Sequence, residues 1–434
     1  MKYKKSKYTR IINIEEGLWL VHNLSSGSEC LLNDKELQVL YNCDEHDDSS
    51  SNLLSQFYEI GFVVNKNTDE NACLELGRKI NMYSFTADEM GFVIAPTMDC
   101  NAYCFYCYEN ETRRAFYMNE KTENALIKYI KNITIGKKRL FISWFGGEPL
   151  LCKDLIVRVS KELIQFSDEN GIMYHSEMTT NGYYLGEIAD ELKVLRISDI
   201  QITLDGFKDE YEKRKNYQVN NAWKTVIGNI YRISKSGVHI TVRFNFDKEN
   251  KESVKEATTF LISQKDWNHN IAIYYYPLEP NGIDNSNYYN EQEYKDVMTE
   301  LYTHLYESGY YVGRTYALDF HKLSLPCYGA TLGTVAVDYY GKIYQCQHLL
   351  CHDEYAIGDV FEGIAITQQV NNWYDGTVSE KCQECEVLPL CQGGCVTKPK
   401  IGQQKYICHM MKYRLEIQEK LKVLYYRENL SDLD

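Results

Sequence analysis

From residue 91 to about 277, short apolar runs alternate with longer amphipathic stretches at intervals of roughly 26 to 48 residues, the pattern of repeated parallel βα units. Strands are predicted at 91–95, 140–145, 173–179, 200–204, 238–246 and 271–276, with helices near 119–135, 153–170, 184–195, 222–236 and 251–263. Six such units give an α/β chain built on a partial (β/α)6, TIM-like barrel. Loops after the carboxyl ends of strands carry the chemistry in this architecture, so the residues at the strand exits are the ones to read.

The first strand runs into Cys100, Cys104 and Cys107. Thiolates this close on one loop can converge on one inorganic centre. Three of them fill three of the four irons of a cubane cluster and leave the fourth open, whereas a zinc knuckle or buried thiols would use the same spacing without chemistry. The second strand exits into Gly146, Gly147 and Glu148, where paired glycines permit close backbone approach and the carboxylate can receive an ammonium group. The third exits into Thr179, Thr180, Asn181 and Gly182, the fourth into Thr203, Leu204, Asp205 and Gly206, and the fifth carries Arg243 and Asn245. Each alone is an ordinary strand exit. Arriving after successive strands, they converge on the mouth of the barrel.

A second array lies downstream: Cys327, then Gly341 and Cys346, then Cys382, Cys385, Cys391 and Cys395, and finally Cys408. Paired CxxC thiolates also suit zinc. His348 and His352 flank Cys351 and could ligate, but read as polar surface groups. Cys30, Cys43, Cys73 and Cys152 lack partners at ligand spacing and read as ordinary thiols. Fifteen cysteines fit metal or redox chemistry in a reducing compartment better than disulfides.

The CxxxCxxC arrangement of Cys100, Cys104 and Cys107, with Tyr106 before the last cysteine and Gly146 to Glu148 on the next strand, resembles the radical S-adenosylmethionine (SAM) superfamily. The resemblance implies a [4Fe–4S] cluster on the three cysteines, with SAM chelating the open iron. It implies that Gly146, Gly147 and Glu148 hold the methionine amino group, that Thr203 lies near its carboxylate, and that the Tyr106 backbone touches adenine. Thr203 stands where serine is frequent and keeps the hydroxyl. Arg243 is expected to pair with the carboxylate, and Arg214 is the alternative. The downstream array resembles a SPASM domain, which implies two auxiliary [4Fe–4S] clusters: one on Cys382, Cys385, Cys391 and Cys408, the other on Cys327, Cys346 and Cys395 with Cys351 as a possible fourth ligand. Three [4Fe–4S] clusters and SAM are thus the expected cofactors.

The expected organisation is a winged-helix-like unit at 1–88, the barrel at 89–290, a bridging region at 291–326 and the auxiliary-cluster domain at 327–434. In the first unit, strands are predicted at 8–14, 18–23 and 61–64, with helices from Asn33 and at 53–60. A polar loop at 278–290, a helix at 291–307 and a terminal helix at 410–427 complete the reading. A small unit of this kind resembles the element that grips the leader of a ribosomally made (RiPP) precursor peptide, through strand addition at a sheet edge. The resemblance implies a peptide-modifying oxidoreductase installing an oxidative crosslink, thioether or carbon–carbon, with a low-potential electron donor such as a flavodoxin or ferredoxin.

Two alternatives stand beside it. An anaerobic sulfatase-maturase-like, formylglycine-generating enzyme would carry an aspartate base after Cys346, where this chain has Gln347. A non-catalytic electron-transfer or zinc-binding protein would use the cysteines as wire or scaffold. With 47 basic and 61 acidic residues the net charge is −14, which disfavours nucleic acid and anionic membranes as partners. The basic stretch at 1–10 leads into neither a signal-peptide core nor a spanning apolar run, so a cytoplasmic location is expected.

Overall fold

The computed structural model describes residues 2–44, 52–219, 221–264, 271–278, 287–310, 327–374, 378–397 and 406–430. It divides into two compact units: Met1–Tyr83, Tyr311–Cys327 and Asp375–Asp434 form one, and Ser84–Tyr310 with Tyr328–Tyr374 the other.

The first unit begins with β1 (Tyr3–Lys5), β2 (Thr9–Glu15), β3 (Leu18–Asn23) and β4 (Glu29–Asn33), followed by α1 (Asp34–Tyr41), α2 (Asn52–Glu59), β5 (Val63–Asn65) and α3 (Glu70–Asp88). β2, β3 and β4 form an antiparallel sheet, and β1 pairs with β5. α1 starts where the sequence places it. The Asn33 side chain accepts from the Lys35 and Glu36 N–H groups while Glu36 reaches back to the Asn33 N–H, a reciprocal cap that fixes the first turn. Leu37 and Leu40 of α1 then bury with Val21, Leu54, Phe57 and Phe62.

The second unit is the barrel. Its strands are β6 (Glu89–Ile94), β7 (Arg139–Trp144), β8 (Met173–Thr180), β9 (Ile197–Leu204), β10 (His239–Phe246) and β11 (Ile271–Pro277), paired in parallel in chain order. The connecting helices are α4 (Glu120–Thr134), α5 (Lys153–Glu169), α6 (Lys208–Lys215), α7 (Ala222–Ser234) and α8 (Lys251–Ser263), and α9 (Glu291–Glu307) follows β11. The expected α/β partial barrel is therefore present. A seventh parallel strand, β12 (Thr334–Val337), joins beside β6, and β13 (Lys342–Tyr344), β14 (Gly358–Asp359) and β15 (Gly363–Ile364) extend the sheet antiparallel, before α10 (Gln368–Trp373). β12 is absent from the predicted strand set, because four residues are too short to show a period.

One predicted helix needs correction, and one observed helix lies outside the predicted set. The stretch 184–195 holds only a single 3₁₀ turn, Leu185–Glu187. Asn229 Nδ2 donates to the Gly182 and Tyr183 carbonyls (2.8 and 3.0 Å), which takes the acceptors an α-helix would use at its start. Isolated i to i+3 bonds follow, with a single i to i+4 bond from the Leu195 N–H to the Glu191 carbonyl, and Leu185, Ile188, Leu192 and Leu195 still bury at helical spacing. Conversely α6 was unpredicted: its sequence Lys-Asp-Glu-Tyr-Glu-Lys-Arg-Lys carries no apolar stripe. The loop expected at 278–290 falls largely outside the described residues.

Alternate strand residues separate two faces. Ile240, Val242, Phe244 and Phe246 of β10 are buried, and Tyr275 of β11 bonds Thr258 of α8 at 3.0 Å, so this face is covered by helices. The opposite face carries partly exposed polar residues: Glu177, Thr179, Gln201, Thr203, Thr241 and Arg243. A polar row on the open face is what a binding lumen requires.

In the first unit the chain returns with α11 (Glu380–Gln383), α12 (Leu388–Cys391) and α13 (Tyr406–Glu428). Val387, Leu388, Leu390 and Leu415 bury with Tyr8, Leu24 and Leu74, and Glu419 accepts from both Arg10 and buried His22. Among the described residues no helix is long and apolar enough to cross a membrane.

The β6–β12 pairing generates a test. A Cβ at Gly91 would sit 2.5 Å from Thr334 Oγ1 and 3.0 Å from its Cγ2. Gly91→Ala is expected to cost about 1–3 kcal/mol, read as a lowered thermal midpoint, and Thr334→Ala in the same chain should recover part of it. An unchanged midpoint in the single variant would refute the close packing.

Candidate functional site

The cysteine loop leaves β6 through Pro96 to Asp99 and is held from several sides. Asp99 Oδ1 accepts from the Cys100 N–H (2.9 Å) and Oδ2 from the Tyr117 hydroxyl (2.7 Å). Arg113 donates to the Ala102 carbonyl at 2.9 Å and to the Cys100 carbonyl, and lies 3.9 Å from the Tyr103 ring centre. The Cys107 N–H bonds the Cys104 carbonyl at 3.2 Å. The Cys100 sulfur faces two donors, the Ala102 N–H at 3.4 Å and Asn181 Nδ2 at 3.8 Å. Donors aimed at sulfur suit a thiolate, the form that ligates metal. Burial pushes the Cys100 and Cys107 thiols up to about 12 and raises Cys104 as well, so metal would have to displace their protons. The donor set thus fits a thiolate-ligated cluster. Among the described residues, no three Cys, His, Asp or Glu side chains are drawn together as ligands of a single ion.

Gly146 and Gly147 press against this loop. Gly146 has φ +114°, and a Cβ there would lie 2.3 Å from the Thr97 carbonyl; a Cβ on Gly147 would lie 2.3 Å from that of Asp99. The Gly147 and Glu148 N–H groups bond those same carbonyls at 3.2 and 2.8 Å. The close approach of these glycines is therefore to the protein's own chain. Glu148 is fully buried: its oxygens accept from the Leu150 N–H (2.9 Å), the Thr180 hydroxyl (2.8 and 3.0 Å) and the Asn181 N–H (2.8 Å). Burial, opposed by these donors, pushes its carboxyl up to about 7. Glu148 thereby ties the exits of β7 and β8 together beside Cys100.

Thr203 and Arg243 are register partners on β9 and β10, with Tyr274 of β11 next in the row. Both are partly exposed on the open face. Arg243 donates to Asn245 Oδ1 at 2.8 Å and stacks 4.2 Å from the Tyr276 ring centre. Arg214 is 1% exposed and paired with Asp247 at 2.5 Å, which removes it from the lumen. The Tyr106 side chain turns into a buried trio, donating to Asp205 and accepting from Lys215 Nζ at 3.1 Å. Lys215 escapes sequence reasoning because it sits in the uniformly charged α6. Asp205 shows in the sequence only as a turn residue.

Of the downstream cysteines, Cys346 and Cys351 lie in the barrel unit. Cys346 is buried, and Cys351, in the left-handed region at φ +63°, sits 3.9 Å from buried Asp338. Burial and Asp338 push the Cys351 thiol up to about 12. The His348 ring lies 4.7 Å from that of Tyr108. In the other unit, Cys382 and Cys385 pack against the core made by Tyr8 and Leu388. Cys391 ends α12, and Gln392, Gly393 and Gly394 continue with positive φ into Cys395. Cys327 belongs to the same unit, and Cys408 lies within α13, with its side chain outside the described residues.

Residues 94–261 match the Radical SAM superfamily. A radical SAM cyclopropyl synthase, TigE of Paramaledivibacter caminithermalis, is 22% identical over 93% of this chain and 92% of its own length. Fe-coproporphyrin III synthase of Methanosarcina barkeri is 24% identical over 43% of this chain, which spans only 44% of that relative's length. Among solved structures, anSMEcpe with bound AdoMet superposes with TM-score 0.60 at 16% identity, covering 79% of this chain and all of that one. Streptococcus suis SuiB bound to precursor peptide SuiA gives TM-score 0.51 at 15% identity over 92% and 97%. At these identities the solved structures establish a shared fold.

The site makes two expectations measurable. Glu148→Gln places an amide NH₂ against a backbone N–H and should cost about 1–3 kcal/mol. A carboxyl raised from 4.5 to about 7 in the fold contributes stability that is full below pH 4.5 and lost as pH rises through 7. Wild-type stability should therefore fall relative to Glu148→Gln over that window, and parallel pH profiles would contradict the assignment.

Proposed function

We propose that the chain is a radical SAM enzyme, residues 94–261 matching that superfamily, and that it abstracts a hydrogen atom from a ribosomally made precursor peptide and installs an oxidative crosslink, thioether or carbon–carbon. The observation that carries the reading is similarity along nearly the whole chain, first unit included, to TigE and to SuiB, the latter solved with its precursor peptide. anSMEcpe has likewise been solved with a bound peptide. A peptide is therefore the substrate class that these relatives favour.

In this proposal Cys100, Cys104 and Cys107 hold a [4Fe–4S] cluster. With SAM bound beside them, a cluster on these thiolates would supply radical chemistry able to take a hydrogen atom from carbon. The remaining work belongs to the chain. The Gly146 to Glu148 turn offers its backbone to the methionine amino group, since the Glu148 carboxylate is already committed to Leu150, Thr180 and Asn181. Thr203 and Arg243 offer a hydroxyl and a cation to the methionine carboxylate. With its phenol turned to Asp205 and Lys215, Tyr106 has its backbone left for adenine.

Two auxiliary [4Fe–4S] clusters complete the proposal: one on Cys382, Cys385, Cys391 and Cys408, the other on Cys327, Cys346 and Cys395 with Cys351 as a possible fourth ligand. Centres held there would accept the second electron of the crosslink, and a low-potential donor such as a flavodoxin or ferredoxin would supply the electron that starts the reaction. The unit at 1–88 would recognise the leader of the peptide. A formylglycine-generating reaction is disfavoured at Gln347. Its side-chain oxygen accepts from the Tyr328 hydroxyl at 3.0 Å, and an amide takes no proton at neutral pH.

Coexpression with a small peptide encoded beside this enzyme should give a product lighter by two hydrogens. Cys100→Ala should abolish both that product and 5′-deoxyadenosine. Cys385→Ala should abolish the product while leaving SAM cleavage. A peptide of unchanged mass with abundant 5′-deoxyadenosine would overturn the peptide assignment.

A further inference from the structure

Two consecutive cations end α6 against the cysteine loop. Arg214, braced by Asp247 (3.3 and 2.5 Å) and Glu210 (3.5 Å), sets its guanidinium 4.9 Å from the Phe105 ring centre. Lys215 places Nζ 3.1 Å from the Tyr106 hydroxyl and 3.3 Å from Asp205 Oδ2, and Tyr106 donates to the same carboxylate. Phe105 and Tyr106 are the two residues between Cys104 and Cys107. The backbone adds a third hold. Asn216, left-handed at φ +47°, ends the helix, and the Lys215 carbonyl accepts from the Tyr103 N–H at 2.9 Å and faces the Cys104 thiol at 4.0 Å. Helix-end carbonyls have no partner inside the helix. Here the orphan is spent on the loop.

We propose that Lys215, acting with Asp205 and Tyr106, is a positioning residue that holds the Cys104 to Cys107 span in its ligating shape before iron arrives. One residue grips the loop on both sides of Cys104, by its carbonyl at Tyr103 and by its ammonium at Tyr106. Stability alone does not account for the trio, because desolvating a buried ion pair can offset its attraction, and apolar residues of similar volume would serve as well. What the trio supplies is a single register. The Tyr106 ring can bury in many ways, but its hydroxyl meets both Asp205 and Lys215 in one. Asp205 Oδ1 remains buried with no hydrogen-bond partner, so the carboxylate is not simply saturated by neighbours.

This inference rests on the reading that the three cysteines hold a cluster, and the test separates the two. Hydrogen exchange of the full-length, iron-free chain is compared for wild type, Lys215→Met and Tyr106→Phe. Tyr106→Phe keeps the Lys215–Asp205 pair and removes only its link to the loop, so it reports even if Lys215→Met fails to fold. The proposal expects amides at 100–107 of Tyr106→Phe to exchange about tenfold faster, the equivalent of one hydrogen bond, with β9 and β10 unchanged. After anaerobic reconstitution, the electron paramagnetic resonance signal of the reduced cluster should shift. Loop exchange equal to wild type, or acceleration spread evenly over the barrel, would overturn it. A wild type that takes up no iron would instead refute the cluster reading, and the exchange data would still judge the clamp.

Discussion

The site depends on one contact between two stretches of backbone. The turn after β7 lies against the segment after β6 so closely that a Cβ on Gly146 or Gly147 would collide with the carbonyls of Thr97 and Asp99. Backbone cannot rotate away as a side chain can, so this approach fixes the origin of the cysteine loop relative to the sheet. Glu148 then locks the arrangement from behind, taking donors from its own turn and from the exit of β8. The exits of β6, β7 and β8 are thereby joined into one rim, and the three thiols are carried on it.

Charge is distributed around that rim in a way that separates support from binding. Arg214 and Lys215 are enclosed and matched by Asp247 and Asp205, and they act on the protein itself. Burial works against the Lys215 ammonium, yet Asp205 and Tyr106 hold its pKa well above the ordinary lysine value, so the positive charge stays in place. Arg243 and Thr203 share a register row on the open face, where a ligand carboxylate could reach them. Two arginines that look alike in sequence thus differ by enclosure.

Much of the barrel was legible in the sequence because parallel strands and their helices leave strong periods, and α9 carries its own cap in Asn290 and Glu293. What stayed hidden has physical reasons. β12 is four residues long and gains its identity only by pairing with β6. α6 is charged at every position but Tyr211, so no stripe announces it. The stretch at 184–195 has a helical stripe without a helix, since Asn229 claims the carbonyls at its start. The glycine pair was visible, but its partner was not: only the fold shows that it faces Thr97 and Asp99. Cys100, Cys104 and Cys107 stood out by spacing, whereas Lys215 and Asp205 acquire meaning only from the helix that brings them beneath Tyr106.

The claim on which the rest stands is that the loop at 100–107 presents three sulfurs to a cluster with one iron left for a ligand. Electron paramagnetic resonance of the anaerobically reconstituted, reduced protein tests it most directly, using a variant with Cys327, Cys346, Cys382 and Cys385 replaced so that neither auxiliary cluster contributes. Addition of S-adenosylmethionine should change the g-values of the remaining cluster signal. A signal indifferent to S-adenosylmethionine, or a protein that returns zinc and no iron, would contradict the account.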